Sequence, residues 1–460
     1  MYKIDFNKPI HLHFIGIGGI SMSGLAEILL KAGFTISGSD STASELTDSL
    51  TAKGAKVIIG QAYDNITDDV DAVVFTAAIH PDNPEYQGAV DKQKPMLTRA
   101  ELLGQIMKNY GTPISVAGTH GKTTTTSMVS QILLSADCDP TISVGGMMPA
   151  IGGNIRVGDS PYFVMEACEY TNSFLSFFPR YAVILNVDAD HLDFFKDLDD
   201  IACSFHRFAA LVPNDGAVII NKSTQKFDTV TDGLTCPVIT YAIDDEEADY
   251  YATDITYNEL GCATFDAYEK GMSLGNLTLG VPGRHNVENA LSAIAVSRCL
   301  ELDLNDVSDG LTAFTGTDRR FQKKGEVGGV TIIDDYAHHP TEIKATLTSA
   351  ASCKHRELYL AFQPHTYTRT KALFDDFVNI LKTVDHVILA DIYAAREKNT
   401  IGISSEDLAV AINEAGGNAI YLSSFGEIED FVLTNCVDGD MFITMGAGDI
   451  YKVGNNLIGG

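Results

Sequence analysis

Residues 113–126, Pro-Ile-Ser-Val-Ala-Gly-Thr-His-Gly-Lys-Thr-Thr-Thr-Thr, constrain the fold more than any other stretch of the chain. A β-branched apolar run stops at Gly118, turns through Thr119, His120 and Gly121, and passes Lys122, Thr123 and Thr124 into a helical pattern over 126–134. A strand that hands a glycine turn to a helix N-terminus is the setting in which backbone N–H groups converge on phosphate. Lys122 adds a point charge, and the Thr123 hydroxyl can ligate Mg²⁺. The spacing is Gly-x-x-Gly-Lys-Thr; Val116 stands where the first glycine of the longer GxxxxGK[ST] loop would fall. The segment predicts ATP binding inside an α/β sheet.

Two further apolar runs carry polar groups to the same kind of edge. Residues 162–165 read as a buried strand ending at Glu166, and 181–185 as another ending at Asn186, Asp190 and His191. Ligands gather at strand carboxyl ends in doubly wound sheets. Thr123, Glu166 and His191 are therefore the candidate Mg²⁺ ligands, with Lys122, Glu166 and His191 as the catalytic set. Oxygen ligands with one imidazole suit a Mg²⁺ held partly by substrate phosphates. Gly145-Gly146 and Gly152-Gly153 predict a flexible region nearby, and Asn286, ahead of a helical pattern over 290–300, is a candidate nucleotide contact.

The chain opens with a second glycine turn. A strand over 10–17 enters Gly16, Gly18, Gly19 and Ser21, a helix follows, and the next strand ends at Asp40. That is a βαβ unit of Rossmann type in which Ser21 takes the place of the third glycine of GxGxxG. Asp40 lies near the spacing of a ribose-binding acid. A pyrophosphate from NAD or from a UDP-sugar would sit equally well on that helix end. His80 follows the strand over 71–79 and reads either as a ligand contact or as a capping residue.

The last part of the chain repeats the pattern. Arg319 and Arg320 precede a strand over 330–333 that ends at Asp335, Tyr336, His338 and His339. A strand over 357–362 leads to His365 and Arg369. Adjacent histidines in an extended turn point apart, so His338-His339 is not read as zinc binding. At 460 residues three domains are expected, over 1–110, 111–316 and 317–460.

The net charge of −29 argues against nucleic acid or an anionic membrane as partner. An anionic substrate must then be met by local cations and backbone dipoles. Eight scattered cysteines without paired spacing fit a reducing cytoplasm, and neither a signal peptide nor a membrane span is indicated.

Together, Gly118–Thr123 as Gly-Thr-His-Gly-Lys-Thr, Asn186 with Asp190-His191, Gly283-Arg284-His285-Asn286 and the third-domain clusters resemble the Mur ligases, the ATP-dependent amide-forming enzymes of peptidoglycan precursor synthesis. The resemblance runs nearly end to end. It implies a Rossmann-like first domain holding a UDP-sugar, a central P-loop α/β domain holding ATP and Mg²⁺, and a mobile Rossmann-like third domain closing over ATP. It further implies ribose and adenine contacts from Asp335, Tyr336 and His338, phosphate contacts from Arg319 or Arg320, and amino-acid recognition by His365 and Arg369. The glycine-rich start, with His338–Glu342 and Phe362–His365, resembles the branch that adds L-alanine to UDP-N-acetylmuramate, expected as a monomer or homodimer. Thr366 stands where that branch commonly has arginine. Residues 203–208 contain no lysine, whereas several relatives carry a carbamylated lysine there.

Overall fold

The computed structural model describes residues 2–459 except 77, 192, 193 and 396. The described residues form three sheets. The first has β1 (His11–Ile15), β2 (Thr35–Asp40), β3 (Lys56–Ile59), β4 (Ala72–Phe75) and β5 (Met96–Thr98) in the order β3-β2-β1-β4-β5. All four pairings are parallel. The strand order reverses beside β1, which is where a doubly wound sheet opens a ligand crevice.

The second sheet begins with β6 (Thr112–Ala117), β7 (Thr141–Met148), β8 (Gly153–Arg156), β9 (Tyr162–Glu166), β10 (Tyr181–Ile184), β11 (Ala217–Asn221) and β12 (Val238–Ile243). It is completed by β13 (Tyr250–Tyr257), β14 (Cys262–Glu269) and β15 (Met272–Pro282), in the order β15-β14-β13-β12-β11-β10-β6-β9-β7-β8. β6 lies between β10 and β9 and pairs parallel with both. Its residues 113–117 are buried, as a central strand covered on both faces requires. The glycines at 145, 146 and 153, expected to be flexible, instead belong to the antiparallel hairpin of β7 and β8. Gly145 is a close-approach position: a Cβ there would lie 2.8 Å from the Glu166 carboxylate.

The third sheet contains β16 (Gln322–Val327), β17 (Val330–Asp335), β18 (Leu358–Phe362), β19 (His386–Leu389), β20 (Ala419–Tyr421) and β21 (Met441–Met445), in the order β16-β17-β21-β18-β19-β20. Only the β16–β17 pair is antiparallel. One core packs on the Ile333, Leu360 and Ile443 face and a second on the Ile332, Tyr359 and Phe442 face. Alternation along each strand makes that division.

The chain divides into two compact units, one of residues 1–252, 267–274 and 288–311, the other of 253–266, 275–287 and 312–460. Among the described residues, no helix is long and apolar enough to cross a membrane.

Candidate phosphate-binding centre

Within the first unit, the exit of β10 shapes the turn after β6. The Asn186 side chain accepts the His120 N–H at 2.8 Å and donates to the His120 carbonyl at 3.1 Å. Its own carbonyl accepts the Thr119 N–H at 3.3 Å. The Thr119 hydroxyl in turn accepts the Asp188 N–H at 2.9 Å. Gly118 takes φ +146° and Gly121 φ +84°. A Cβ at Gly118 would come within 2.9 Å of the Leu185 Cβ, and one at Gly121 within 3.0 Å of Asn289 Oδ1. Any other residue at either position would be strained in backbone and crowded in space.

The helix Lys122–Ser135 starts four residues before its pattern suggested, with Gly121 as N-cap and no side-chain capping bond. Its first internal bond runs from the Thr125 N–H to the Gly121 carbonyl. The N–H groups of Lys122, Thr123 and Thr124 are the orphan donors of this helix end and carry its positive dipole. They form a cradle for an oxyanion.

Lys122 reaches back over the turn. Its ammonium donates to the Gly118 and Thr119 carbonyls and lies 3.1 Å from a Glu169 carboxylate oxygen. Burial opposes the charge, but Glu169, with Glu166 behind it, more than offsets that and holds the lysine pKa above its ordinary value. Glu169 is buried and also faces His191, whose Nε2 is 3.8 Å from it. Glu166, at the end of β9, accepts the Gly145 N–H instead. The carboxylate against Lys122 is therefore Glu169, where the sequence pattern pointed to Glu166; Glu169 and Asp190 each lie 3.8 Å from the His191 ring. Asn289, against Gly121, was likewise unassigned.

His191 adopts φ +52°, a left-handed conformation uncommon for a non-glycine residue. Its ring packs against Tyr170 with centroids 4.6 Å apart, and Tyr170 meets Phe194 edge-on at 6.1 Å. Among the described residues, no three His, Cys, Asp or Glu side chains form a protein-only metal cage. A buried carboxylate, an imidazole and the Thr123 hydroxyl at a phosphate cradle nevertheless fit Mg²⁺, which keeps most of its shell from phosphate and water.

The first glycine turn is also fixed from the strand beside it. The Gly16 and Ile17 N–H groups both donate to the Ser39 carbonyl at 2.8 Å. Asp40 accepts the Gly18 N–H at 2.9 Å, so this acid is engaged with the turn itself. Gly19 caps the helix Ile20–Lys31 without a side-chain bond. Ser21, in its first turn, accepts a hydrogen bond from Arg99 at 2.9 Å. The His80 ring is exposed, and its carbonyl accepts the Asn83 N–H.

In the second unit, Asn286 donates to the Pro282 carbonyl at 2.7 Å and lies inside the first turn of a helix that begins at Arg284, earlier than its pattern suggested. Arg319 pairs with buried Asp334 at 3.2 Å and lies over the Tyr336 ring at 4.8 Å; Arg320 covers the same ring at 5.4 Å. Asp335 accepts the Phe321 and Ala337 N–H groups, each at 2.7 Å. Burial pushes its pKa up to about 6 despite those bonds and Arg320. His338 meets His365 edge-on at 5.7 Å, and His365 stacks on Tyr393. Burial, helped by His338 and Arg369, pulls the His365 pKa down to about 4. Arg319, Arg320, Asp335, Tyr336, His338, His365 and Arg369 thus gather around the exits of β17 and β18.

Three family models match the chain: the Mur ligase family, catalytic domain over residues 11–111; the Mur ligase middle domain over 116–297; and the Mur ligase, glutamate ligase domain over 319–448. A protein of Agathobacter rectalis named UDP-N-acetylmuramate–L-alanine ligase is 60% identical over 458 residues, covering 100% of both chains. One of the same name from Lachnospira eligens is 58% identical over the same span. The crystal structure of UDP-N-acetylmuramate-alanine ligase from Thermotoga maritima superposes with a TM-score of 0.82 at 28% identity, covering 98% of each chain. A murein peptide ligase from Psychrobacter arcticus, at 24% identity and a TM-score of 0.71, shares the fold.

Proposed function

The chain belongs to the Mur ligase family, and on that premise we propose that it joins L-alanine to the lactyl carboxylate of UDP-N-acetylmuramate at the expense of ATP. Identity of 60% along the whole length to a ligase of that name is the observation that carries this reading. On this reading the chain has a UDP-sugar domain over 1–110, an ATP domain over 111–316 and a closing domain over 317–460. The cytoplasm, where ATP and nucleotide sugars are made, is its proposed place of action.

In this reading the lactyl carboxylate attacks the γ-phosphorus of ATP. ADP leaves and an acyl phosphate forms; the neutral amine of L-alanine then attacks the acyl carbon, an amide forms and phosphate departs. A carboxylate is a poor electrophile, and phosphorylation supplies its leaving group. The protein's part is to position groups and spread charge. Lys122 would leave the Gly118 and Thr119 carbonyls for phosphate oxygens, with the N–H groups of residues 122–124 beneath them. Thr123 and His191, with Glu169 or Glu166, would hold Mg²⁺, which neutralises phosphate charge when bound. Gly16, Gly18, Gly19 and Ser21 would receive the UDP-sugar diphosphate, with His80 at the rim. Asn286, Arg319, Arg320, Asp335, Tyr336 and His338 would hold the nucleotide, and His365 and Arg369 the alanine carboxylate.

Phosphate release measured over a panel of acceptors and amino acids tests this. Turnover should require UDP-N-acetylmuramate and L-alanine together. Turnover with a murein tripeptide in place of L-alanine would favour a peptide-recycling ligase, and ATP hydrolysis without an acceptor would defeat both.

A further inference from the structure

Arg99 is the first residue of the helix Arg99–Met107; it is half-buried, and that burial disfavours its charge. Its one side-chain hydrogen bond among the described residues runs from Nη1 to Ser21 Oγ at 2.9 Å, in the first turn of the helix that follows the first glycine loop. Glu101, the nearest acid in sequence, is committed elsewhere: it accepts the Thr98 N–H and hydroxyl in a capping box. Among the described residues, no carboxylate lies within ion-pair distance of Arg99. Even a partly desolvated cation without a counter-charge gains when an anion joins it.

Cys168 is close enough to both the Arg99 guanidinium and the Lys122 ammonium to feel their charges. Cys168 immediately precedes Glu169, the partner of Lys122. The helix that Arg99 opens is pressed onto the turn after Glu169, since a Cβ at Gly104 would fall 1.9 Å from the Ser176 carbonyl oxygen. Only glycine permits that approach, which seats this helix on the segment that follows Glu169.

We propose that Arg99 grips an oxyanion of the UDP-muramyl acceptor between the two glycine loops. The inference rests on the ligase reading and deepens it. The acceptor has two anionic groups of suitable chemistry, its diphosphate and its lactyl carboxylate. With Ser21 holding one N–H, the remaining guanidinium edge can present a two-pronged fork to either, which an ammonium cannot reproduce. Arg99 would thereby set the distance from the sugar to the attacking carboxylate.

Calorimetry on the full-length protein tests this with UDP-N-acetylmuramate, UDP and Mg-ADP as ligands. Arg99→Gln should weaken UDP-N-acetylmuramate binding tenfold or more, and Arg99→Lys should recover only part of it. Mg-ADP affinity and Tm should stay unchanged in both, which separates the role from a folding defect. Equal weakening of UDP identifies the diphosphate as the gripped group; unchanged UDP binding identifies the lactyl carboxylate. Unchanged UDP-N-acetylmuramate affinity in Arg99→Gln overturns the assignment alone. A wild-type protein that does not bind UDP-N-acetylmuramate would overturn the ligase reading and this assignment with it.

Discussion

The Lys122 ammonium and the Glu169 carboxylate are 3.1 Å apart, with the lysine also held by two carbonyls of its own loop. The cation is thus parked above the helix end that would receive phosphate. Lys122→Ala should abolish phosphate release, a loss of roughly 10³-fold or more, since several kcal/mol of charge stabilisation depend on it. UDP-N-acetylmuramate affinity should persist, because that ligand would use a different glycine turn. Near-normal turnover would remove the loop from the chemistry.

Glu169 and Glu166 make different predictions for Mg²⁺. Glu169 faces His191, whereas Glu166 is bound to the Gly145 N–H. Glu169→Gln should raise the Mg²⁺ concentration for half-maximal activity about tenfold or more, at about 1.4 kcal/mol per decade. Glu166→Gln should shift it less and lower Tm more, since it disturbs the β7–β9 edge. A larger Mg²⁺ effect at Glu166 would reverse their roles.

Asn186 holds the loop without touching the helix end. Asn186→Ala removes two hydrogen bonds to His120, about 1 kcal/mol each. The KM for ATP should rise about tenfold with a modest fall in Tm. Asn186→Asp, which can still accept the His120 N–H but cannot donate to its carbonyl, should fall between. An unaltered KM in both would show that the loop holds its shape unaided.

Asp335 gives the third domain a pH signature. Its pKa is raised by burial to about 6 in the fold, against 3.8 for an ordinary aspartate. Between those values the folded state keeps a proton that the unfolded chain has lost. Its contribution to stability is therefore complete below about pH 4 and is lost as pH rises through about 6, on the order of 3 kcal/mol in all. His365 acts oppositely: with its pKa lowered to about 4, its contribution is present above about pH 6.5 and lost as pH falls. Asp335→Asn should raise Tm at pH 7 relative to wild type, and the gain should shrink towards pH 4. A gain independent of pH would contradict the assignment.

Much of this was legible in the residues. Turn glycines, apolar runs and polar strand exits placed β1, β6, β9, β10, β17 and β18, because period and punctuation report local geometry. What was lost depended on side-chain direction after a strand ends. Glu166 and Glu169 are three residues apart, and spacing does not say which turns to the lysine. Asn286 and Asn289 share one helix, and only packing puts Asn289 against Gly121. Asp40 sits at a ribose-like spacing yet accepts the Gly18 N–H, a local bond that motif matching does not anticipate. Arg99 carried no motif at all; that no acid among the described residues pairs with it appears only when burial and partners are known.

The aromatic contact at His191 has an optical consequence. The chain contains no tryptophan. Phe194, 43% exposed, is edge-on to Tyr170, which packs on the imidazole proposed to hold Mg²⁺. Phe194→Trp would therefore give the protein a single indole at that site. Excited at the red edge of its band, where the 18 tyrosines scarcely absorb, it would report events around one histidine, so metal loading and nucleotide arrival could be timed separately from turnover.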